Sequence, residues 1–252
     1  MNQKLAIVTG GAGGIGKAVA SSLSQEGFYV IIVDRDREIG SRIASEIGCH
    51  FEAVDLRKPD QCRSVVRKIG EEMGRIDVLV NNAGLQHVCG LPDFPEEKWN
   101  ELIQVMLTAP FLLTKHSWPY LERSKSARII NMGSIHSRVA SLNKAAYVSA
   151  KHGLVGLTKS TALEGGPCGI TCNAICPAYV ETPLARNQID AQSKTLGIPA
   201  DRVIDEVVLS QAVVKKLIQP EEIAKLVVYL CSDAASSITG SCIDIDLGWT
   251  AR

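Results

Sequence analysis

The order of segments predicts an α/β protein: a doubly wound parallel sheet with helices on both faces. Three observations carry that expectation. Strand-like and helix-like patterns alternate along all 252 residues, as repeated strand–helix–strand units require. The run Phe28-Tyr29-Val30-Ile31-Ile32-Val33 is continuously apolar, which suits a strand covered on both faces. A glycine-rich turn, Thr9-Gly10-Gly11-Ala12-Gly13-Gly14-Ile15-Gly16, joins the first strand to the first helix.

Taken in order, residues 4–9 read as a short strand. Ile15, Ala18, Val19, Ser22 and Leu23 mark one face of the helix after it. Residues 28–33 are the second strand, and a third precedes Asp55-Leu56. Cys62, Val65, Val66, Ile69 and Met73 form a second helical stripe. Strands follow at 76–80, 127–132 and 170–176, with a helix running from Tyr147 to near Glu164. Gln219-Pro220-Glu221-Glu222 places proline and acids where a helix begins, and Ile223, Leu226, Val227 and Leu230 are its apolar face. Residues 241–245 make a last strand. The stretch 181–219 is expected to be irregular and mostly polar, with helical patches such as 203–214. So long an excursion reads as a substrate lid or a packing insertion.

Hydrophobic residues make up 46% and charged residues 21%, which supports a sizeable core and excludes a disordered chain. At about 150 residues per domain the length allows one or two, and α/β folds of this size are often one. A single domain over 1–252 is expected. Lys plus Arg equals Asp plus Glu, 27 of each, so neither nucleic acid nor a membrane surface is an expected partner. No run approaches the roughly 18 apolar residues of a spanning helix. The first residues lead into a strand rather than a leader pattern, and a cytoplasmic location is expected. Of the eight cysteines, Cys168, Cys172 and Cys176 recur every four residues. Without a His or Cys at zinc spacing, Cys172 and Cys176 read as strand core, and no metal is expected.

The glycines of the first turn let backbone N–H groups approach a pyrophosphate at the start of a helix. A tight strand–helix turn without a ligand also uses glycine. Asp34 ends the second strand, eighteen residues past Gly16. A carboxylate there accepts hydrogen bonds from both hydroxyls of an adenosine ribose and repels a 2′-phosphate. Its plainer reading is a solvated strand-end acid. Arg35 beside it argues the other way, but Gly13 offers no base, and the balance favours NAD over NADP. Asp55, Leu56 and Asn82 lie at further C-terminal strand ends, which line the ligand crevice of such sheets.

Tyr147 and Lys151, four apart, share one helix face. A phenol with a pKa near 10 is a poor base at neutral pH. Lowering it by about 3 units takes roughly 4 kcal/mol, and a nearby ammonium favours the phenolate. Ser134, in a Gly-Ser turn after the strand at 127–132, can hold a substrate oxygen. Alone, such a Tyr–Lys pair is more often a surface pair; the glycine turn and the serine favour chemistry.

Thr9-Gly10-x-x-x-Gly14-x-Gly16, Asn81-Asn82-Ala83-Gly84, Ser134, Tyr147-x-x-x-Lys151 and the stretch from Pro177 to Thr182 together resemble the short-chain dehydrogenase/reductase family, across essentially the whole chain. The resemblance implies one Rossmann-type domain, usually in a homotetramer. It implies Tyr147 as general acid/base, Lys151 on the nicotinamide ribose and lowering the Tyr147 pKa, and Ser134 orienting the substrate. Gly10, Gly14, Ile15, Gly16, Asn82, Val180 and Thr182 would surround the cofactor. Three positions depart from the family. Met106 replaces its usual helix Asn, Ala178 stands where Gly follows the proline, and Leu247 interrupts Asp-Gly-Gly.

Gln86, His136, Lys144 and Gln188 are spare polar groups near this chemistry, and two amides, an ammonium and an imidazole converging make a carboxylate clamp. Tyr179 and Trp249 are bulky groups at its edges. The set is similar to that of the bacterial D-3-hydroxybutyrate dehydrogenases within the family, with Tyr179 where those have Trp. That similarity implies NAD-dependent interconversion of D-3-hydroxybutyrate, or a close short 3-hydroxy acid, with its 3-keto acid. Plainer readings stand beside each residue: His136 bracing its loop, Lys144 and Gln188 solvated, Gln86 capping a turn. Two alternatives stay open, another keto or polyol substrate and a weakly active NAD-binding regulator, the latter prompted by Met106.

Overall fold

The apolar runs become strands because residues buried on both faces have nowhere else to place their side chains. The computed structural model describes residues 3–251. Met1, Asn2 and Arg252, the ends of the expected 1–252 domain, lie outside the described residues, as does the side chain of Thr195. In chain order the main elements are β1 (Leu5–Thr9), α1 (Gly14–Gln25), β2 (Tyr29–Asp34), α2 (Arg37–Glu46), β3 (His50–Ala53), α3 (Pro59–Met73), β4 (Val78–Asn81), α4 (Glu96–Ile103), α5 (Ala109–Leu121), β5 (Arg128–Met132), α6 (Ala145–Gly165), β6 (Thr171–Pro177), α7 (Pro183–Leu196), α8 (Ala200–Val203), α9 (Pro220–Cys231) and β7 (Cys242–Ile245).

The seven strands pair in parallel in the order β3-β2-β1-β4-β5-β6-β7. Alternate residues feed two cores. Ile7 and Ile129 pack with Val66 of α3, Leu113 of α5 and Ala150 of α6 on one face. Val8 and Ile130 pack with Val19 of α1, Ile43 of α2 and Val227 of α9 on the other. The order reverses between β1 and β4, and a ligand crevice opens at the strand C-termini of such a switch point.

Four expected strands begin one or two residues early, at 76, 127, 170 and 241, against Val78, Arg128, Thr171 and Cys242. Ile76, Ala127 and Ile170 are buried without being in the ladder. They are apolar because they belong to the core on the α3–α5–α6 face, a demand that the sequence pattern cannot separate from pairing. The pattern also does not anticipate α2, α4 and α5. A five-residue π-helical segment, Gln104–Thr108, joins α4 to α5 and centres on the buried Met106.

The stretch 181–219 is less irregular than expected. Its main helix is α7, ahead of the expected patch at 203–214, where helical backbone ends at Val208. The start of α7 has a local cause: the Thr182 hydroxyl accepts from the Ala185 N–H at 3.2 Å, and Pro183 follows. Gly197 ends it in the left-handed conformation. Ile189, Val203, Val208, Leu209 and Ala212 make a separate small core there, which Trp249 joins. A parallel bridge between Val180 and Ile218 ties the base of the excursion together.

Leu247 adopts a positive φ of 59°, a conformation costly to a branched side chain, and its carbonyl accepts from Val213 N. The backbone of Ala178 is not in that region, so alanine fits.

Gly16 tests the first turn. A Cβ there would lie 2.1 Å from the Gly10 carbonyl oxygen, which is backbone and cannot swing aside. Gly16→Ala is expected to cost about 1–3 kcal/mol of stability, read as a lower denaturation midpoint, and to weaken dinucleotide binding measured by calorimetry.

Candidate active site

The crevice at the switch point is a cavity of about 380 Å³, within the range of small-molecule sites. Its floor on one side is the glycine turn. Gly10 and Gly14 have φ of 64° and 51°, which glycine adopts without strain. Asn82, just past β4, secures the turn. Its side-chain amide donates to the carbonyls of Thr9 and Gly10 at 2.9 and 3.2 Å. The Thr9 hydroxyl accepts from the backbone N–H groups of Asn82 and Ala83. Asp34, at the end of β2, accepts from Ala12 N at 3.2 Å and lines the cavity. Ile15, Val180 and Thr182 line it as well, and the Thr182 methyl lies against Gly14.

The opposite end brings together Ser134, Tyr147 and Lys151. α6 packs closely on the sheet because small residues, Ala146, Ala150 and Ala162, form its buried stripe. That closeness brings Tyr147 and Lys151 over the end of β5. The Lys151 ammonium donates to the Met132 carbonyl at 2.6 Å and stands 5.6 Å from the Tyr147 ring centroid. Burial pulls the Lys151 pKa down to about 8. Burial also pushes the Tyr147 phenol up, opposed by a hydrogen bond from Ser134. The ammonium is engaged by a carbonyl, and Ser134 is the group that favours the phenolate. Gly133, beside Ser134, donates its N–H to Ile175 at 2.7 Å, and a Cβ there would meet Cys176.

Gln86, His136, Lys144, Tyr179 and Gln188 all line the cavity. The Gln86 side-chain oxygen accepts from His87 N at 3.1 Å, which caps the turn and leaves the NH₂ as a donor. The Lys144 ammonium is buried, donates to the Tyr179 hydroxyl at 3.4 Å, and pairs with no carboxylate among the described residues. His136 departs from the expected clamp. Its Nδ1 lies 3.3 Å from the Val139 carbonyl, which can only accept, so the ring proton sits on Nδ1 and Nε2 accepts. Burial, then the Lys144 charge, lower its pKa to about 4.

Four expected residues do not line the cavity. Gly16 serves packing. Asp55 is engaged by Arg57 at 2.8 Å, which lowers its pKa. Leu56 is buried in the core, and its carbonyl accepts from Gln104. Trp249 belongs to the small core under α7. The cavity also uses residues that the sequence pattern did not single out, among them Met132, Gly133 and Leu184. Leu184 had a signal: a large apolar side chain just after a Thr-Pro helix start, left 44% exposed.

Cys172 and Cys176 are buried in β6, as their apolar setting predicts, while Cys168 is exposed. Among the described residues no helix is long and apolar enough to cross a membrane.

The His136 assignment has a direct consequence. In an NMR pH titration its imidazole is expected to stay neutral down to about pH 4. In Lys144→Ala the midpoint should move upward, because a repelling positive charge is gone. A wild-type midpoint near the ordinary histidine value would contradict the geometry.

Known proteins resemble the chain over its full length. The family model described as enoyl-(acyl carrier protein) reductase matches residues 10–250. An uncharacterized oxidoreductase, YxjF of Bacillus subtilis, is 43% identical, with 100% of each chain covered. D-beta-hydroxybutyrate dehydrogenase of Rhizobium meliloti is 40% identical over 99% of each. Among solved structures, actinorhodin polyketide ketoreductase with NADPH superposes with a TM-score of 0.93 at 30% identity, over 100% of this chain and 98% of that one. The chain belongs to the short-chain dehydrogenase/reductase family of oxidoreductases.

Proposed function

We propose that this oxidoreductase interconverts D-3-hydroxybutyrate, or a close short 3-hydroxy acid, with its 3-keto acid, using NAD. Lys144 carries the reading. It is 5% exposed, faces the cavity and has no protein carboxylate as partner among the described residues. A buried cation without a counter-ion is costly, and an acidic ligand removes that cost. The amide NH₂ of Gln86 and the amide of Gln188 add neutral donors. A relative named D-beta-hydroxybutyrate dehydrogenase at 40% identity supports the same class.

The residues present fit a nicotinamide dinucleotide. Gly10 and Gly14 leave room where side chains would intrude, and Asp34 offers a carboxylate to ribose hydroxyls. When bound, such a cofactor would supply the hydride acceptor. Ser134 and Tyr147 would hold the substrate hydroxyl, with Tyr147 taking its proton, and Lys151, Ile15, Asn82, Val180 and Thr182 would hold the cofactor. Met106 sits in a π-helical segment whose backbone, rather than the Met side chain, would serve the reaction. The protein would work in the cytoplasm as one domain over 1–252, with 181–219 as a lid. It would form a homotetramer, for which the exposed Phe111, Leu163 and Tyr229 offer apolar surface.

One observation favours a second substrate. A neutral His136 with an accepting Nε2 suits a molecule that brings an additional hydroxyl, a polyol or a more hydroxylated acid.

Two measurements test the reading. Asp34→Ala is expected to narrow a strong preference for NAD over NADP in kcat/KM; a wild type that prefers NADP contradicts the role of Asp34. Lys144→Ala is expected to lower kcat/KM for 3-hydroxybutyrate by about 10²–10⁴, while the methyl ester, which lacks the charge, changes little. Equal losses for acid and ester would mean that Lys144 supports its loop. Failure of the wild type to oxidise 3-hydroxybutyrate, with good activity on neutral alcohols, would favour the second substrate.

A further inference from the structure

A lysine side chain is flexible and strongly hydrated, so an ammonium buried at a cavity wall needs something to keep it there. The backbone supplies part of the restraint. Asn143 takes a left-handed φ of 61° immediately before Lys144, and its carbonyl accepts from Cys89 N at 2.9 Å. That bond couples the turn to the loop carrying Gln86. The rest comes from across the cavity. Tyr179, in the segment after β6, offers its hydroxyl to the Lys144 ammonium at 3.4 Å, and the ammonium lies 5.6 Å from the ring centroid.

The chemistry of that contact is directional. An ammonium has only donors, so the phenol oxygen is the acceptor. The phenol keeps its own proton, and no acceptor among the described residues takes it. The half-buried Tyr179 therefore presents an O–H beside an N–H, both at the cavity wall.

We propose that the Tyr179 hydroxyl is a second carboxylate donor, paired with Lys144, so that the two groups grip the two oxygens of a free acid. The inference rests on the acidic-substrate reading and extends it to a residue and an atom. Two donors 3.4 Å apart suit a bidentate carboxylate. An ester has one of those oxygens alkylated and satisfies only one donor. Tryptophan at this position keeps an aromatic face for the ammonium, but its indole N–H cannot accept from Lys144. The tyrosine thus makes Lys144 and residue 179 one unit rather than two separate contacts.

Acetate and acetamide are the probes, because they report on the clamp without requiring turnover. Their binding to the enzyme–NADH complex is followed by NADH fluorescence, with 3-hydroxybutyrate kinetics in parallel. Wild type should bind acetate and not acetamide. Tyr179→Phe removes only the hydroxyl and should weaken acetate about tenfold to a hundredfold, the range for a hydrogen bond to a charged group. It should raise KM for 3-hydroxybutyrate by a similar factor, with kcat and NADH affinity near wild type. Combined with Lys144→Ala, the second change should add little, since the pair acts as a unit. If Tyr179→Phe proves unstable, Tyr179→Met keeps an apolar side chain of similar length with no hydroxyl and should shift acetate binding in the same direction.

Acetate binding that is equal in wild type and Tyr179→Phe overturns the proposal and leaves the acid reading standing. So does a variant that loses kcat without a change in KM. A wild type that neither binds acetate nor oxidises 3-hydroxybutyrate overturns both.

Discussion

The link between Thr9 and Asn82 is the constraint on which the rest of the site depends. These residues lie at the C-terminal ends of β1 and just beyond β4, where the strand order reverses. Their side chains exchange four hydrogen bonds with each other's backbone neighbourhood, at 2.9–3.2 Å. The glycine turn above them has few side chains to fix it, and its freedom would otherwise oppose a rigid anion-binding surface. Asn82 supplies the missing restraint from a neighbouring strand. Gly16 completes it by letting the first helix approach without displacing the Gly10 carbonyl.

A second polar connection carries order from the sheet to the reacting end. Asn81 on β4 donates to Asn131 on β5 at 2.8 Å, and Asn131 donates to Thr158 on α6 at 2.9 Å. Inside a low-dielectric core such a chain is costly to break, so it fixes the register of α6 against the strands. Tyr147 and Lys151 stand on that helix, and their distance from Ser134 follows from it.

Both lysines at the site show why local environment matters more than residue type. Lys151 is held on a carbonyl, and burial lowers its pKa to about 8. Lys144 is held on a phenol, and its charge helps depress neighbouring His136. One ammonium meets a backbone carbonyl and the other a neutral hydroxyl. The two ammonium groups thus stand in different settings at the wall of one cavity.

Much of the architecture is legible in the residues themselves. The apolar run before Asp34, the glycine turn and the Tyr147–Lys151 spacing depend on neighbours in the chain, and local sterics and periodicity reveal them. What the sequence could not reveal depends on distant partners. Asp55 is at a strand end like Asp34, yet Arg57 claims it, while Asp34 faces the glycine turn. Trp249 reads as a pocket residue, yet the small core under α7 takes it. His136 reads as a donor, but a carbonyl three residues on fixes its proton and leaves an acceptor. The sequence by itself determined the doubly wound sheet, the glycine turn and the Tyr147–Lys151 helix spacing, because each is written in local pattern. Only the tertiary structure decided which polar groups meet in the cavity and which are already satisfied, because that depends on contacts between segments far apart in the chain.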